Sequence, residues 1–542
     1  MLGKISSPVL IVVLPFLFSS IVQLIPRGTG RRACGWAALS GSLLALSISF
    51  VALLRVLDGG RAVFMLGSPE VAKGIPLVAD GLGISMAVLG GTLGVLCLCY
   101  SIGEGGYGPG YYSLFLILLG GMSGVFLSGD LFNIYVFMEV LSVSSYILVA
   151  YRGRGRSFLA SINYLLISNV GLALYLLGTG MIYNIAGTLN IELLSERLSA
   201  PGADHGTIAT SAALIITGIG IKAALVPLHT WLPDAHSQAP TPVSALLSGA
   251  MVKVGIYLLI RISGIFTAVG FGWLFMWMGA ISALVGVVFA LCQKDIKMIL
   301  ANHTISQIGY IMAAFGSGSP LSLIGAIYHT TGHAFFKGLL FLSAGAAIRL
   351  SGRRDVTELR GLWRSAPFVG AMCLIGSLSI AGIPLFAGFV SKSIIAESLS
   401  EERIIYLLIS ISAVGTVASF IKVMRIFFGE SQDATPVGIN LAMKLPMAVL
   451  SALCLLMGLF PGWNISTLGR LLGISIDGLS LRPFGKLFSS ALTALLGLML
   501  YLLILRLRGL TDRIGSFRPT VNLGLLLVAG YLASILILYA LF

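Results

Sequence analysis

About sixteen apolar runs follow one another along the chain, each long enough to cross a hydrocarbon core of about 30 Å. They fall at 8–26, 35–55, 80–100, 111–129, 131–151, 158–183, 209–239, 241–266, 271–292, 298–316, 321–348, 366–396, 404–428, 442–460, 488–506 and 521–541. A backbone surrounded by lipid must satisfy its amides within its own segment, so runs of this kind fold as helices. With 57% hydrophobic and only 10% charged residues and a mean hydropathy of +1.00, a soluble fold is excluded. The expected fold class is an all-α polytopic membrane protein of about 14–16 transmembrane helices. The first run lacks a cleavage pattern and is expected to be the first span. Trp463–Lys486 is expected to be an outer loop or an interfacial helix.

The net charge of +14 does not indicate nucleic acid, because the basic residues sit in short loops between apolar runs. Alternate loops carry Arg27/Arg31/Arg32, Arg152/Arg154/Arg156, Lys294/Lys297, Arg349/Arg353/Arg354/Arg360/Arg364, Arg425/Lys444 and Arg506/Arg508/Arg513/Arg518. About nineteen basic residues lie on that side against about ten on the other, which puts both termini outside the cell membrane. The six cysteines, Cys34, Cys97, Cys99, Cys292, Cys373 and Cys454, show no iron–sulfur or zinc spacing. No metal or cofactor is expected in this chain.

Gly218–Lys253, GIGIKAALVPLHTWLPDAHSQAPTPVSALLSGAMVK, departs from an ordinary span twice. Lys222 and Lys253 place ammonium groups in apolar helical runs, and Pro227, Pro233, Pro240 and Pro242 interrupt those runs. Intramembrane lysines face a bundle interior or a wet cavity, and non-helical backbone at that depth needs protein or water to satisfy it. A broken helix beside a buried lysine is a pattern of ion carriers. His229 and His236 flank the break. They either relay protons or only satisfy freed backbone groups.

Further buried charges supply partners. In GDLFNIYVFMEVLSVSSY (Gly129–Tyr146), Glu139 lies about midway along a span, where a carboxylate is either paired or protonated. A neighbouring Lys222 would make a coupled pair that captures or releases a proton when either partner moves. Asp130, at the start of that span, reads as an N-terminal helix charge. In IYHTTGHAFFKGLLFLSAG (Ile327–Gly345), His329, His333 and Lys337 recur every four residues on nearly one helix face. In AGIPLFAGFVSKSIIAES (Ala381–Ser398), Gly382, Pro384 and Gly388 break a second helix, with Lys392 after the break and Glu397 nearer the surface. One lysine precedes its proline and the other follows it, as two inverted five-helix repeats would give. This divides the chain into N-terminal helices 1–110, a first repeat 111–266, a second repeat 271–428 and C-terminal helices 429–542. In Gln293–Gly316, Asp295 with Lys294 and Lys297 is expected to form a surface network, and His303 either belongs to the relay or only packs. Lys422 is expected to snorkel.

These stretches, with ADGLGISM around Asp80 and YNIAGTLN at Tyr183–Asn190, resemble the antiporter-like subunits shared by complex I and the Mrp-type multisubunit cation/proton antiporters. The likeness runs over about 79–429. By that resemblance Glu139 matches the family's key glutamate and Lys222 its paired lysine. Lys253 matches the connecting lysine, His329, His333 and Lys337 the central helix, and Lys392 the terminal residue of the proton path. With lysine at 392 the chain is similar to the Mrp D-like group and to its relatives in membrane-bound hydrogenase and sulfur-reductase complexes. The chain's end soon after a span leaves no expected long amphipathic arm, and two helices exceed the family's usual fourteen.

The resemblance implies a proton-translocating subunit, with sodium left open, of a multisubunit complex. Other hydrophobic antiporter-type subunits and small membrane subunits are the implied partners. Iron–sulfur or nickel–iron centres, where the complex is a redox pump, would belong to peripheral subunits. The alternatives are a non-transporting assembly scaffold and an independent secondary transporter. A quinone-reacting subunit would need redox ligands that this chain lacks.

Overall fold

The computed structural model describes residues 7–26, 30–67, 74–200, 204–266, 270–429, 438–475, 486–517 and 519–541. Two helices, α1 (Pro8–Leu24) and α2 (Arg31–Leu57), lead into an antiparallel hairpin of β1 (Ala62–Leu66) and β2 (Ile75–Ala79). Then come α3 (Gly81–Glu104), α4 (Pro109–Leu127), α5 (Leu131–Ala150), α6 (Gly155–Ala186) and the short α7 (Ile191–Leu198). The first broken helix is α8 (His205–Ala223) with α9 (Leu232–Gln238), followed by α10 (Thr241–Ser263), which contains a π turn at Leu247–Met251. Next are α11 (Gly272–Cys292), α12 (Ile296–Gly316), α13 (Pro320–Ser351) and the short α14 (Leu362–Ser365). The second broken helix is α15 (Pro367–Ala381) with α16 (Ala387–Ser398), before α17 (Arg403–Met424). The chain closes with α18 (Leu441–Leu459), α19 (Pro461–Leu472), α20 (Leu487–Arg506), α21 (Arg508–Gly515) and α22 (Val521–Leu541).

Twelve of the described helices are long and apolar enough to cross a membrane, and the chain is a multi-pass membrane protein. Three shorter apolar helices, Pro8–Leu24, Pro367–Ala381 and Val521–Ile537, add to them. α12 has a span's length of 21 residues but carries Asn302, His303, Ser306 and Gln307, and it lies inside the bundle with nearly every residue buried. α10 is buried along its apolar window and α13 over most of its own. These three helices form the core. α20 is the least covered of the candidate spans.

Helix boundaries follow local chemistry. Asp80, Asp130, Asp295 and Asn440 start helices by accepting a backbone N–H from the first turn, which settles Asp130 as an N-cap. Pro109, Pro320 and Pro367 take the first helical position, where no donor is lost. Of the expected 463–486 segment, α19 covers the start as a 12-residue amphipathic helix, while 476–485 lies outside the described residues.

The ion pairs sort the loops onto two faces. Arg61–Glu192, Arg261–Asp80 and Lys486–Glu397 join segments on one face. Arg152–Glu104, Arg354–Asp295 and Lys294–Asp512 join segments on the other. None of these six links one face to the other, as an even alternation of crossings requires.

Candidate functional site

At the first break α8 ends with Ala224 in the left-handed region, at φ 54°. The freed backbone groups find side chains: Trp231 Nε1 donates to the Ile221 carbonyl at 2.8 Å, and the Val226 amide donates to Ser282 Oγ at 2.9 Å. Trp231 in turn stacks on Tyr164 with ring centres 4.1 Å apart. Lys222, 2% exposed, points into the pocket so formed. Its Nζ donates to Ser142 Oγ at 2.5 Å, to Tyr164 OH at 3.3 Å and to Ser168 Oγ at 3.5 Å. An ammonium has three N–H donors, and three hydroxyls meet them.

Glu139 lies one turn before Ser142 on α5 and is half-buried. Among the described ion pairs none includes Glu139. The expected pair therefore makes no direct ion pair here, and Lys222 rests instead on Ser142. Glu139 is flanked on its helix by the exposed apolar residues Val136 and Val143.

From Lys222 the polar contacts continue inward. Tyr164 OH contacts Met251 Sδ at 3.6 Å, at the end of the π turn in α10. That turn frees the Ser248 carbonyl, which accepts from Lys253 Nζ. π turns of this kind recur at functional sites. Ser248 Oγ also meets Thr304 Oγ1 at 2.7 Å, tying α10 to α12. Lys337 Nζ donates to the Leu300 carbonyl of α12. Lys253, Lys337, His329 and His333 are all fully buried. The His329 and His333 rings are parallel within 8°, their centres 6.1 Å apart, as residues four apart on one helix face should be.

The second break closes the row. α15 ends at Gly382, φ 78°, in the left-handed conformation that glycine adopts without strain. His329 Nδ1 lies 2.8 Å from Ser391 Oγ, next to Lys392 in sequence. Lys392 Nζ donates to the Ile380 carbonyl at 2.7 Å and sits 4.8 Å from the Tyr310 ring centre. Lys222, Lys253, Lys337, His333 and His329 are thus all buried between the two breaks, Lys392 is half-buried at the second, and Glu139 lies one turn from Ser142, to which Lys222 donates.

Two expectations are corrected. Lys297 is not part of a surface network: it is 3% exposed and donates to the Ala239 carbonyl at 2.9 Å and to Ser244 Oγ at 3.0 Å. The connection between α9 and α10 leaves that carbonyl unpaired within its helix, and the lysine fills the gap. Asp295 and Lys294 do form surface pairs, with Arg354 and Asp512. Lys422 does not snorkel: its Nζ bonds the Leu291 carbonyl at 3.0 Å and the Gln293 carbonyl, capping the end of α11.

His236 and His303 are fully buried, and both ring nitrogens of each lack a hydrogen-bond partner among the described residues. Both ring nitrogens of His333 likewise lack a partner among the described residues, so His333 stands beside His329 by ring packing alone, and none of these three histidines is joined to the lysines by a bond. Ser142, Tyr164, Ser168, Trp231 and Ser391 were not legible as site residues. Hydroxyl and aromatic groups in apolar helices give no charge signal, and only the fold brings them to the lysines. Among the described residues no three His, Cys, Asp or Glu side chains converge as a metal site.

A bundle with two interrupted helices joined by a buried cationic row defines a membrane-embedded protein of the ion-translocating kind. The family model described as NADH:quinone oxidoreductase/Mrp antiporter, transmembrane, matches residues 128–421, and the chain belongs to that family. The chain is 32% identical over 465 residues to the D-type component of the Na(+)/H(+) antiporter of Alkalihalophilus pseudofirmus, covering 83% of this chain and 93% of that one. It is 35% identical over 400 residues to the N-type component of the NADH-quinone oxidoreductase of Desulforudis audaxviator, covering 71% and 78%. A chain of the Mrp complex from a Dietzia species superposes with a TM-score of 0.80 at 26% identity, covering 89% of this chain and 99% of that one. A chain of a membrane-bound sulfane sulfur reductase shares the fold, with a TM-score of 0.78 at 24% identity and coverage of 89% and 99%.

Proposed function

We propose that the chain is a proton-translocating, antiporter-like subunit of a multisubunit membrane complex. The observation that carries this reading is the placement of titratable and hydroxylic side chains from Lys222 to Lys392 in an otherwise apolar core. Fixed ammonium charges so close together in a low-dielectric interior repel strongly. The row therefore works with fewer protons than sites, and a proton arriving at one end displaces one at the other.

Glu139 and Lys222 form the switch. Drawn together they hold the proton on the lysine; drawn apart, as here, the lysine rests on hydroxyls and passes its proton towards Lys253. His333 and His329 connect Lys253 and Lys337 to Ser391 and Lys392, which exchanges with the opposite face. Helices α4 to α10 and α11 to α17 act as inverted halves, each with its own break. Relatives that share this fold carry sodium/proton exchange in their names; we assign the proton to this row and sodium exchange to the complex as a whole.

A carboxylate beside lipid-facing valines is costly, so the open side of Glu139 is where a second membrane subunit fits. The loop charges put both termini on the outer face of the cell membrane.

In vesicles holding the assembled complex, Glu139→Ala or Lys222→Ala is expected to abolish coupled transport while subunit composition stays intact. Full transport by either assembled variant contradicts the reading. Loss of assembly before any loss of transport supports a scaffold instead. An iron and nickel assay on the tagged complex separates a redox-driven pump, which contains these metals, from a gradient-driven antiporter, which does not.

A further inference from the structure

The seam where α20 meets α15 and α17 holds a groove of about 730 Å³. Its walls are mostly apolar, with Leu374 and Leu378 from α15, Val417 and Phe420 from α17, and Leu498 and Leu505 from α20. Along α20 the lining runs from Ala494 to Leu505, which at a rise of roughly 1.5 Å per residue is about 16 Å. That is half of a hydrocarbon core of about 30 Å, the depth of one leaflet. The deep end stops at the second break, against Ala381 and Ile383. The shallow end lies toward the face that carries the basic loops. There Arg425 follows α17, and its guanidinium donates to Tyr501 OH at 3.3 Å. Arg425 is exposed, and none of the described ion pairs includes it. Phe428, in the same lining, stacks on Trp363 with ring centres 6.0 Å apart, as aromatic side chains do at a membrane–water interface.

We propose that this groove binds an anionic phospholipid of that leaflet, with its phosphate on Arg425 and Tyr501 and an acyl chain along the seam down to the break. A guanidinium matches phosphate oxygens with two parallel N–H donors, and a basic residue at the bilayer surface attracts anionic headgroups. The cation sits at the shallow end and the walls below it are apolar, which is the order of polarity in a lipid from headgroup to chain end. The volume falls within the roughly 300–1,000 Å³ of ligand pockets. A transmembrane helix of a partner subunit would need a face about 30 Å long, and the groove offers half of that. α20 packs along α17, and the lipid fills the space left between α20 and α15. The site stands apart from the proton row and does not depend on it.

The probe is phosphatidylglycerol with a photoactivatable diazirine midway along one acyl chain, a trace component of phosphatidylcholine nanodiscs that hold the assembled complex. Labelled residues are read by peptide mass spectrometry. Leu374 and Leu378 are expected to take up severalfold more label than Met499 on the exposed side of α20. Equal labelling, the mark of lipid that only surrounds the protein, overturns the site. Because Arg425→Gln removes a hydrogen bond to a charged group, it is expected to lower labelling of the groove about tenfold. The same diazirine chain on phosphatidylcholine is expected to label the groove severalfold less. Unchanged labelling in the variant, or equal labelling by the two headgroups, overturns the anionic lipid. Leu498→Trp fills the groove and is expected to abolish its labelling while the complex stays intact on a sizing column; undiminished labelling overturns the groove as the site. Should Leu498→Trp fail to assemble, Ala494→Phe serves the same comparison. Displacement of the label by a short-chain quinone and not by unlabelled phosphatidylglycerol also overturns the proposal.

Discussion

At Lys222 a buried ammonium is held without a direct counterion. Its three donors meet Ser142, Tyr164 and Ser168, so the side chain is satisfied as a hydrogen-bond donor while its charge is not neutralised. That makes it a poised proton donor rather than half of a locked ion pair. Tyr164→Phe removes one of these hydroxyls and keeps the stacking on Trp231. Hydrogen bonds to charged groups contribute about 1.5–3 kcal/mol, so this variant is expected to lower vesicle proton flux about tenfold or more with assembly unchanged. Lys297 is the opposite case, a lysine whose bonds tie α12 to the connection between α9 and α10. Lys297→Met removes the lysine's bonds to the Ala239 carbonyl and to Ser244 Oγ and leaves that carbonyl only its bond from Ser244 Oγ at 3.2 Å, at a cost of about 1.5–3 kcal/mol for a charged hydrogen bond. The expected result is a lower thermal midpoint of the purified complex.

α11 and α12 pack backbone against backbone. A Cβ on Gly279 would collide with the backbone of Ala313 and Gly309, and one on Gly309 with that of Ala283 and Gly279. Small residues let helices meet in lipid, where no hydrophobic force drives them together. Gly279→Leu is expected to separate the pair and abolish assembly, measured as loss of the intact complex on a sizing column; a normally assembled variant contradicts the packing account. The same scale shows what was legible in the sequence. Both breaks could be read from Pro227, Pro233, Pro384 and Gly382, because proline and glycine act on the backbone locally. The π turn at Leu247–Met251 could not, since nothing in LSGAM forbids an ordinary helix. Lys297 was misread for a related reason: its position near a helix start suggested the surface, and its partner is 58 residues away.

Over the whole molecule, the separation of ion pairs onto two faces is the structural counterpart of the loop-charge pattern, and it places Lys486 and Glu397 on the face opposite Lys294 and Asp512. Protease sites inserted beside Lys294 and beside Lys486 are expected to be cut from the inside and the outside of intact cells, respectively. Cleavage of both from one side contradicts the topology. Glu139, Lys222, Lys253, His329, His333, Lys337 and Lys392 were all legible as single residues, since charge in an apolar helix has few explanations. Their joining into a row follows only from the family resemblance and not from the residues alone, because it depends on α10, α12, α13 and α16 meeting at the centre. The central claim is that the proton crosses this row from one half to the other, and Lys253 is the link between them. Proton uptake in vesicles holding the assembled Lys253→Leu complex tests it most directly. The account predicts that coupled transport is abolished although Glu139, Lys222 and Lys392 are intact; transport at the wild-type rate would contradict it.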